Sequence, residues 1–231
     1  MKHITFLVTP ASNMGSIDNP IRAFQFVNEL MRRRGEAPFF KVQIAAKEKD
    51  VSLLNGLYTI HANVIFDQIK KTDLIIFPAF DGDFEEGIRM NEDFISWAIK
   101  QYNNGSELAS LCVGAFILAS TGLLTGKSCS THWRGAESFR RLFPNVDLAT
   151  EKLMTDEQGI YTSGGAFSSA NLILYLIQKY TGREIAIQCS KIFQVDLDRS
   201  TQSPFIIFQG QKGHNDEQVR SAQDFIEKNY Q

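Results

Sequence analysis

"ELASLCVGAFILASTGLLTG" (107–126) decides how this chain is read. Residues 107–111 form a short apolar run of strand length, and Cys112 closes it. From Gly114 to about residue 121 the apolar residues return at helical spacing. A sharp strand-to-helix turn of this kind lifts one side chain to the carboxyl end of a strand, where ligands of open α/β sheets gather. Cys112 then reads in two ways. It is a thiol activated by oriented N–H groups, with the amides of Val113 and its neighbours as an oxyanion hole, or a small thiol packed beneath the helix.

The pattern extends in both directions. "HITFLVTP" (3–10) is a buried first strand ended by Pro10, and Pro20 opens a helix with Ile21, Phe24, Val27, Leu30 and Met31 on one face. Gly35 ends that helix, and "FFKVQIA" (39–45) alternates as a second strand. Residues 47–66 carry an Asn-Gly turn signal and read as a small hairpin or excursion. "TDLIIFPAF" (72–80) is a strand cut by Pro78, and helical spacing returns over 88–102. Downstream, 128–133 reads as a short strand, 135–143 as a helix, 151–165 as a hairpin around "DEQG", and 166–180 and 183–195 as helices. Strands alternating with helices of this length predict a mainly parallel sheet covered on both faces.

With 231 residues the chain suits one large α/β domain or two small ones, and it can bury a sizeable core. A net charge of -2 gives no basic footprint for nucleic acid within these residues. Cys112, Cys129 and Cys189 stand in no metal-like spacing, and three scattered cysteines fit a reducing cytoplasm better than a disulfide framework. No apolar run reaches membrane-spanning length. These features describe a cytoplasmic protein with no metal, no cofactor and no membrane partner. The tail from 211 to 231 is different, a polar amphipathic helix capped by Asn215 or Asp216, with Val219, Ala222, Phe225 and Ile226 on one face.

A nucleophile needs a base, and there are four histidines. His3 lies on the first strand, His61 in the excursion and His214 in the tail; His132, in "STHW", can point to the same crevice as Cys112. "YTSGG" (161–165) ends a strand just before a helix, so Gly164 and Gly165 let backbone approach a ligand or the cysteine turn closely. The Walker and GxGxxG patterns are both absent.

"SLCVGAFILASTGLLTGKSCSTHW" (110–133) and "IYTSGGAFSSANLILYLIQKYTGREIA" (160–186), in that order and spacing, resemble the ThiJ/PfpI group of the class I glutamine amidotransferase-like superfamily. The resemblance spans about residues 3 to 200 and is nearest to the N-terminal domain of AraC-type transcriptional regulators. It implies a flavodoxin-like three-layer sandwich over 1–210, with Cys112 on a nucleophile elbow. It also implies that 211–231 is a linker helix leading to paired helix-turn-helix motifs absent from this chain. DNA would be bound only through that absent part, and a homodimer is expected.

Departures from the pattern matter. Enzymes of the superfamily pair the elbow cysteine with an acid from the loop after the first strand, where this chain has Gly15 or Ser16; Asp18 is the nearest acid and is displaced. Val113 stands where protease-like members place a histidine. Cys112 and His132 carry over by position; the acid does not. The expected ligand site comprises Ser16, Asp18, Cys112, Val113, Gly114, Thr131, His132, Gly164 and Gly165. Three functions fit: a ligand or redox sensor without turnover, a cysteine-dependent hydrolase, amidase or hydratase, and a stress protein whose chemistry is oxidation of Cys112.

Overall fold

Strands and helices alternate along the chain, as the apolar periodicity requires. The computed structural model describes residues 1–206 and 216–229. In chain order the elements are β1 (Lys2–Leu7), α1 (Gly15–Arg33), β2 (Phe40–Ala46), β3 (Asp50–Leu53), β4 (Tyr58–His61), β5 (Val64–Ile65) and β6 (Leu74–Phe77). There follow α2 (Phe84–Met90), α3 (Glu92–Asn103), β7 (Glu107–Ser110), α4 (Ala115–Ala119), β8 (Ser128–Cys129), α5 (Ala136–Leu142) and β9 (Asp147–Leu148). The last are β10 (Met154–Glu157), β11 (Ile160–Ser163), α6 (Ser169–Thr181), α7 (Arg183–Phe193) and α8 (Glu217–Asn229).

One sheet of seven strands has the order β10-β11-β7-β6-β1-β2-β5. All its pairings are parallel except that of β10 with β11. Its central strands are apolar almost throughout because both faces are covered. Successive side chains alternate between two cores. Ile4, Phe6, Leu74, Ile76 and Ala109 join the core beneath α1, α6 and α7. Leu7, Ile75, Phe77 and Leu108 join the other, with Phe94 and Ala98 of α3, Ala115–Ala119 of α4 and Phe139 of α5. The result is an α/β sandwich with a mixed, mainly parallel sheet and helices on both faces.

The amino ends of the strands are pinned by one carboxylate. Glu107 accepts from Lys2 Nζ at 2.8 Å, from Tyr180 Oη at 2.7 Å and from Tyr161 Oη. Burial pushes its pKa up, but the hydrogen bonds from Lys2, Tyr161 and Tyr180, with the Lys2 charge, outweigh that and hold it below the usual range.

Several boundaries differ from the sequence expectation. α1 begins at Gly15 rather than at Pro20, which lies buried inside the helix. The helix expected over 88–102 is two helices broken at Asn91, and α2 is capped by Asp83, which accepts from the amides of Glu85 and Glu86. The strand expected over 128–133 pairs only at Ser128–Cys129, with β9 outside the main sheet, so Thr131 and His132 lie in a loop. The hairpin β10–β11 turns through Gln158 and Gly159, both at positive φ, as a two-residue type I′ turn requires. At the tail, Asp216 Oδ1 accepts from the amides of Gln218 and Val219 and caps α8. The expected domain boundary at 210–211, His214 and Asn215 lie outside the described residues.

Candidate active site or ligand crevice

The carboxyl ends of β1, β6 and β7 open on one crevice. β6 and β7 run in register with Phe77 beside Ser110, so the loops that follow them emerge together. The loop after β1 is stitched to the loop after β6: Asn13 N–H donates to the Ala79 carbonyl at 2.8 Å, and Asp81 N–H to the Ala11 carbonyl at 2.9 Å. Asn13 also donates through Nδ2 to the Asp81 carboxylate, at 3.2 and 3.3 Å, and accepts from Gly15 N–H at 3.1 Å. Those bonds turn the chain into α1 and set Gly15 and Ser16 at the crevice.

Cys112 stands at the end of β7 with a φ of 55°, in the left-handed region. A side chain there costs about 1–2 kcal/mol, so the surroundings must hold it. Thr131 Oγ1 donates to the Cys112 carbonyl at 3.1 Å. A short 3₁₀ turn over Cys112–Gly114 then leads into α4. Only glycine fits at 114, because a Cβ would lie 2.5 Å from the Phe77 carbonyl oxygen and 2.6 Å from that of Pro78. Cys112 itself is 7% exposed and lines the crevice. The other two thiols are shut away in the cores, where burial pushes Cys129 up to about 12 and Cys189 up to about 11.

His132 caps the 3₁₀ turn that follows it, its Nδ1 accepting from Arg134 N–H at 3.1 Å. That bond assigns the neutral ring its proton on Nε2. Burial, then the nearby Arg134 charge, lowers its pKa from the ordinary value, so the neutral form prevails at pH 7. In this tautomer Nδ1 is occupied and Nε2 carries a hydrogen. The ring can donate to a ligand through Nε2, while its lone pair on Nδ1 is engaged by the Arg134 amide. Gly165 must be glycine for the imidazole to lie where it does, since a Cβ there would come 2.7 Å from Cδ2 of His132.

The cavity these elements enclose measures about 900 Å³. Asn13, Ser16, Asn19, Asp81, Cys112, His132 and Arg134 supply its polar wall, and Phe84, Phe167, Ile173, Leu174, Phe193 and Val195 its apolar one. Phe84 is held by stacking on Phe116 at 4.3 Å, which in turn packs edge-on against Phe139 at 5.1 Å.

Of the residues expected from the sequence, Ser16, Cys112, Val113 and His132 line this cavity. Asp18 does not; it is drawn to Arg22, one helical turn on, at 2.6 Å. Gly114 packs on the β6 carbonyls, Thr131 is buried holding Cys112, and Gly164 and Gly165 back onto Gln202 and His132. Sequence reasoning missed Asn13, Asp81, Arg134 and Gln202. Asn13 stood in a polar turn loop and Arg134 beside His132, both visible as polar residues flanking the motifs. Gln202 gave no signal. Among the described residues no group of three or more His, Cys, Asp or Glu is placed to hold a metal, and no helix is long and apolar enough to cross a membrane.

Residues 20–179 match the DJ-1/PfpI family. The chain belongs to that family. Within it, this DJ-1/PfpI chain is 24% identical over 197 residues to the HTH-type transcriptional regulator CdhR of Pseudomonas aeruginosa, covering 85% of this chain and 56% of the regulator. It thus spans just over half the length of that relative. It is also 30% identical over 94 residues to the deglycase PH1704 of Pyrococcus horikoshii, which covers 40% of this chain and 55% of the deglycase. The solved structure of an AraC family transcriptional regulator from Pseudomonas putida has the same fold, with a TM-score of 0.65 at 19% identity, covering 84% of this chain and 100% of that one. Kinship in this DJ-1/PfpI domain is therefore divided between regulators and enzymes.

Proposed function

We propose that this domain is the ligand-sensing part of an AraC-type transcriptional regulator, holding a small molecule in the crevice around Cys112 without turning it over. The observation that carries the reading is the hydrogen bond from the Arg134 amide to Nδ1 of His132. It assigns the hydrogen of the neutral ring to Nε2, which makes His132 a donor to a ligand rather than a base to a thiol. Asp18, the acid nearest the position that would orient a catalytic pair, is drawn to Arg22, and the carboxylate on the wall, Asp81, accepts from Asn13. The lining offers donors from His132, Arg134 and Asn19 together with apolar side chains. A molecule with an acceptor-rich end and an apolar body suits it. Oxidation of Cys112 is a second input the same crevice can take. DNA binding through a following module, and homodimer formation, rest on the kinship with regulators.

Sequencing the native reading frame through and beyond the codon for Gln231 tests the regulator reading. Two helix-turn-helix patterns with a basic balance are expected; an immediate stop codon removes it. One observation favours a second reading, a cysteine-dependent hydrolase, amidase or hydratase: Cys112 is held at positive φ on the cavity wall, as strained residues at reactive sites often are. For that reading, Cys112→Ser must abolish the turnover of a compound the protein converts.

A further inference from the structure

Residue Gln202 is polar, belongs to no helix or strand, and is only 2% exposed. Its side chain reaches under the crevice. Nε2 donates to the Thr150 carbonyl at 2.8 Å, the Thr131 carbonyl at 3.0 Å and the Lys152 carbonyl at 3.2 Å. Oε1 accepts from Gly165 N–H at 3.3 Å. Two N–H groups thus serve three carbonyls, and the one acceptor is also used. The packing is equally close: a Cβ on Gly164 would lie 2.6 Å from Oε1 of Gln202. Two of the residues it holds, Thr131 and Gly165, are the ones that position Cys112 and His132. Thr131 bonds the Cys112 carbonyl and precedes His132, and Gly165 lies against the His132 ring.

The backbone around it is tied to the loop that precedes β10. Gln202 N–H and Thr201 Oγ1 both donate to the Glu151 carbonyl, at 3.0 and 2.8 Å, and Leu153 N–H donates to the Ser200 carbonyl at 3.0 Å. A few residues earlier in the same segment, Phe193 and Val195 form part of the cavity wall. The stretch from 193 to 206 therefore touches the crevice twice, once from the side through Phe193 and Val195 and once from beneath through Gln202. It is the last described stretch before α8.

We propose that residues 193–206 are a strap that reports the state of the crevice to the C-terminal side of the chain, with Gln202 as its positioning residue. An occupant that moves the His132 loop or the Gly165 backbone shifts the acceptors and the donor that hold Gln202. Because all its polar atoms are engaged in a buried site, the side chain cannot follow half-way; it stays seated or it leaves. Its release leaves 199–206 held by the bonds to Glu151 and Leu153 and by hydrogen bonds within its own turns. The coupling is independent of whether the crevice senses or catalyses, so it survives the failure of the proposed function and can fail while that function stands.

The test uses N-ethylmaleimide on Cys112 as the occupant, with amide hydrogen exchange of 199–206 read by mass spectrometry. In the wild type, alkylation is expected to speed exchange in this stretch by about tenfold or more. In Gln202→Ala the same amides exchange fast beforehand, and alkylation adds nothing. Thr201→Val loosens the strap at Glu151 but leaves Gln202 in place, so the response to alkylation persists; a merely structural role would be lost equally in both variants. Gly165→Ala displaces His132 without any reagent and is expected to reproduce the acceleration. Exchange unmoved by both alkylation and Gly165→Ala overturns the proposal, and so does an equal response with and without Gln202.

Discussion

Replacing Cys112 by glycine and by alanine separates the strain at this position from the chemistry of its thiol. Both substitutions remove the sulfur, so the loss of its burial is common to the two and cancels to first order. They differ in backbone. At a φ of 55°, a residue with a Cβ carries about 1–2 kcal/mol that glycine does not. Glycine gives back roughly 0.5–1 kcal/mol through its greater freedom in the unfolded chain. At the middle of the two ranges the net favours Cys112→Gly over Cys112→Ala by about 0.8 kcal/mol. For a domain of this size that is roughly 1–4 °C in Tm. At an ordinary strand or helix position the order is reversed, with alanine ahead by about the same amount. Sign therefore decides the matter more securely than size. Urea titration of the two variants by tryptophan fluorescence, with equal m-values, gives the comparison. An alanine variant more stable than the glycine variant would refute the left-handed geometry, and with it the account of how the turn presents Cys112.

Other substitutions test neighbouring parts of the account. Gly114→Ala forces a Cβ against the Phe77 and Pro78 carbonyl oxygens; it should cost about 1–3 kcal/mol in the same titration and expose Cys112 to alkylation. Iodoacetamide should modify Cys112 ahead of Cys129 and Cys189, both fully enclosed, and His132→Ala should leave the pH profile of that reaction unchanged; a profile that loses a low-pH plateau in the variant would mean His132 acts on the thiol. The lowered pKa of His132 makes the neutral ring the folded form, so its contribution is present above about pH 6.5 and is lost as pH falls through the folded value. Thermal unfolding of His132→Gln across pH 5–8 should be flatter than the wild type over that lower range. Glu107 works in the same direction at lower pH, its lowered pKa adding stability above about pH 4.3 that disappears on further acidification. Glu107→Ala strands the Tyr161 and Tyr180 hydroxyls and should cost about 2–3 kcal/mol at pH 7, measured by the same denaturation.

The existence and type of the main elements were legible because period and punctuation agreed. Leu74–Phe77 is four apolar residues stopped by Pro78, and the turn at Cys112 is announced by a strand run and the glycine at 114. Strand order was not legible, since nothing local in β7 says that β6 and β11 will flank it. Within the site, Cys112 and His132 stood out by type and spacing. The fate of Asp18 was open to inference from its place four residues before Arg22 on a helix, but the later start expected for α1 hid that pairing. The tautomer of His132 depends on one backbone amide two residues away, which no pattern of side chains reveals. Gln202 lay deepest: a lone glutamine in the polar run "DRSTQS" has every local mark of a surface loop. Only the fold brings three carbonyls and an amide around it.

The central claim is that the crevice binds and does not convert. A metabolite panel screened by thermal shift against the wild type, Cys112→Ala and His132→Ala, with each hit recovered after prolonged incubation and analysed by NMR, tests it directly. The account predicts a hit that raises the wild-type Tm, loses its effect in His132→Ala, and is recovered chemically unchanged. A hit consumed by the wild type and left intact by Cys112→Ala would contradict it and make Cys112 a catalytic nucleophile.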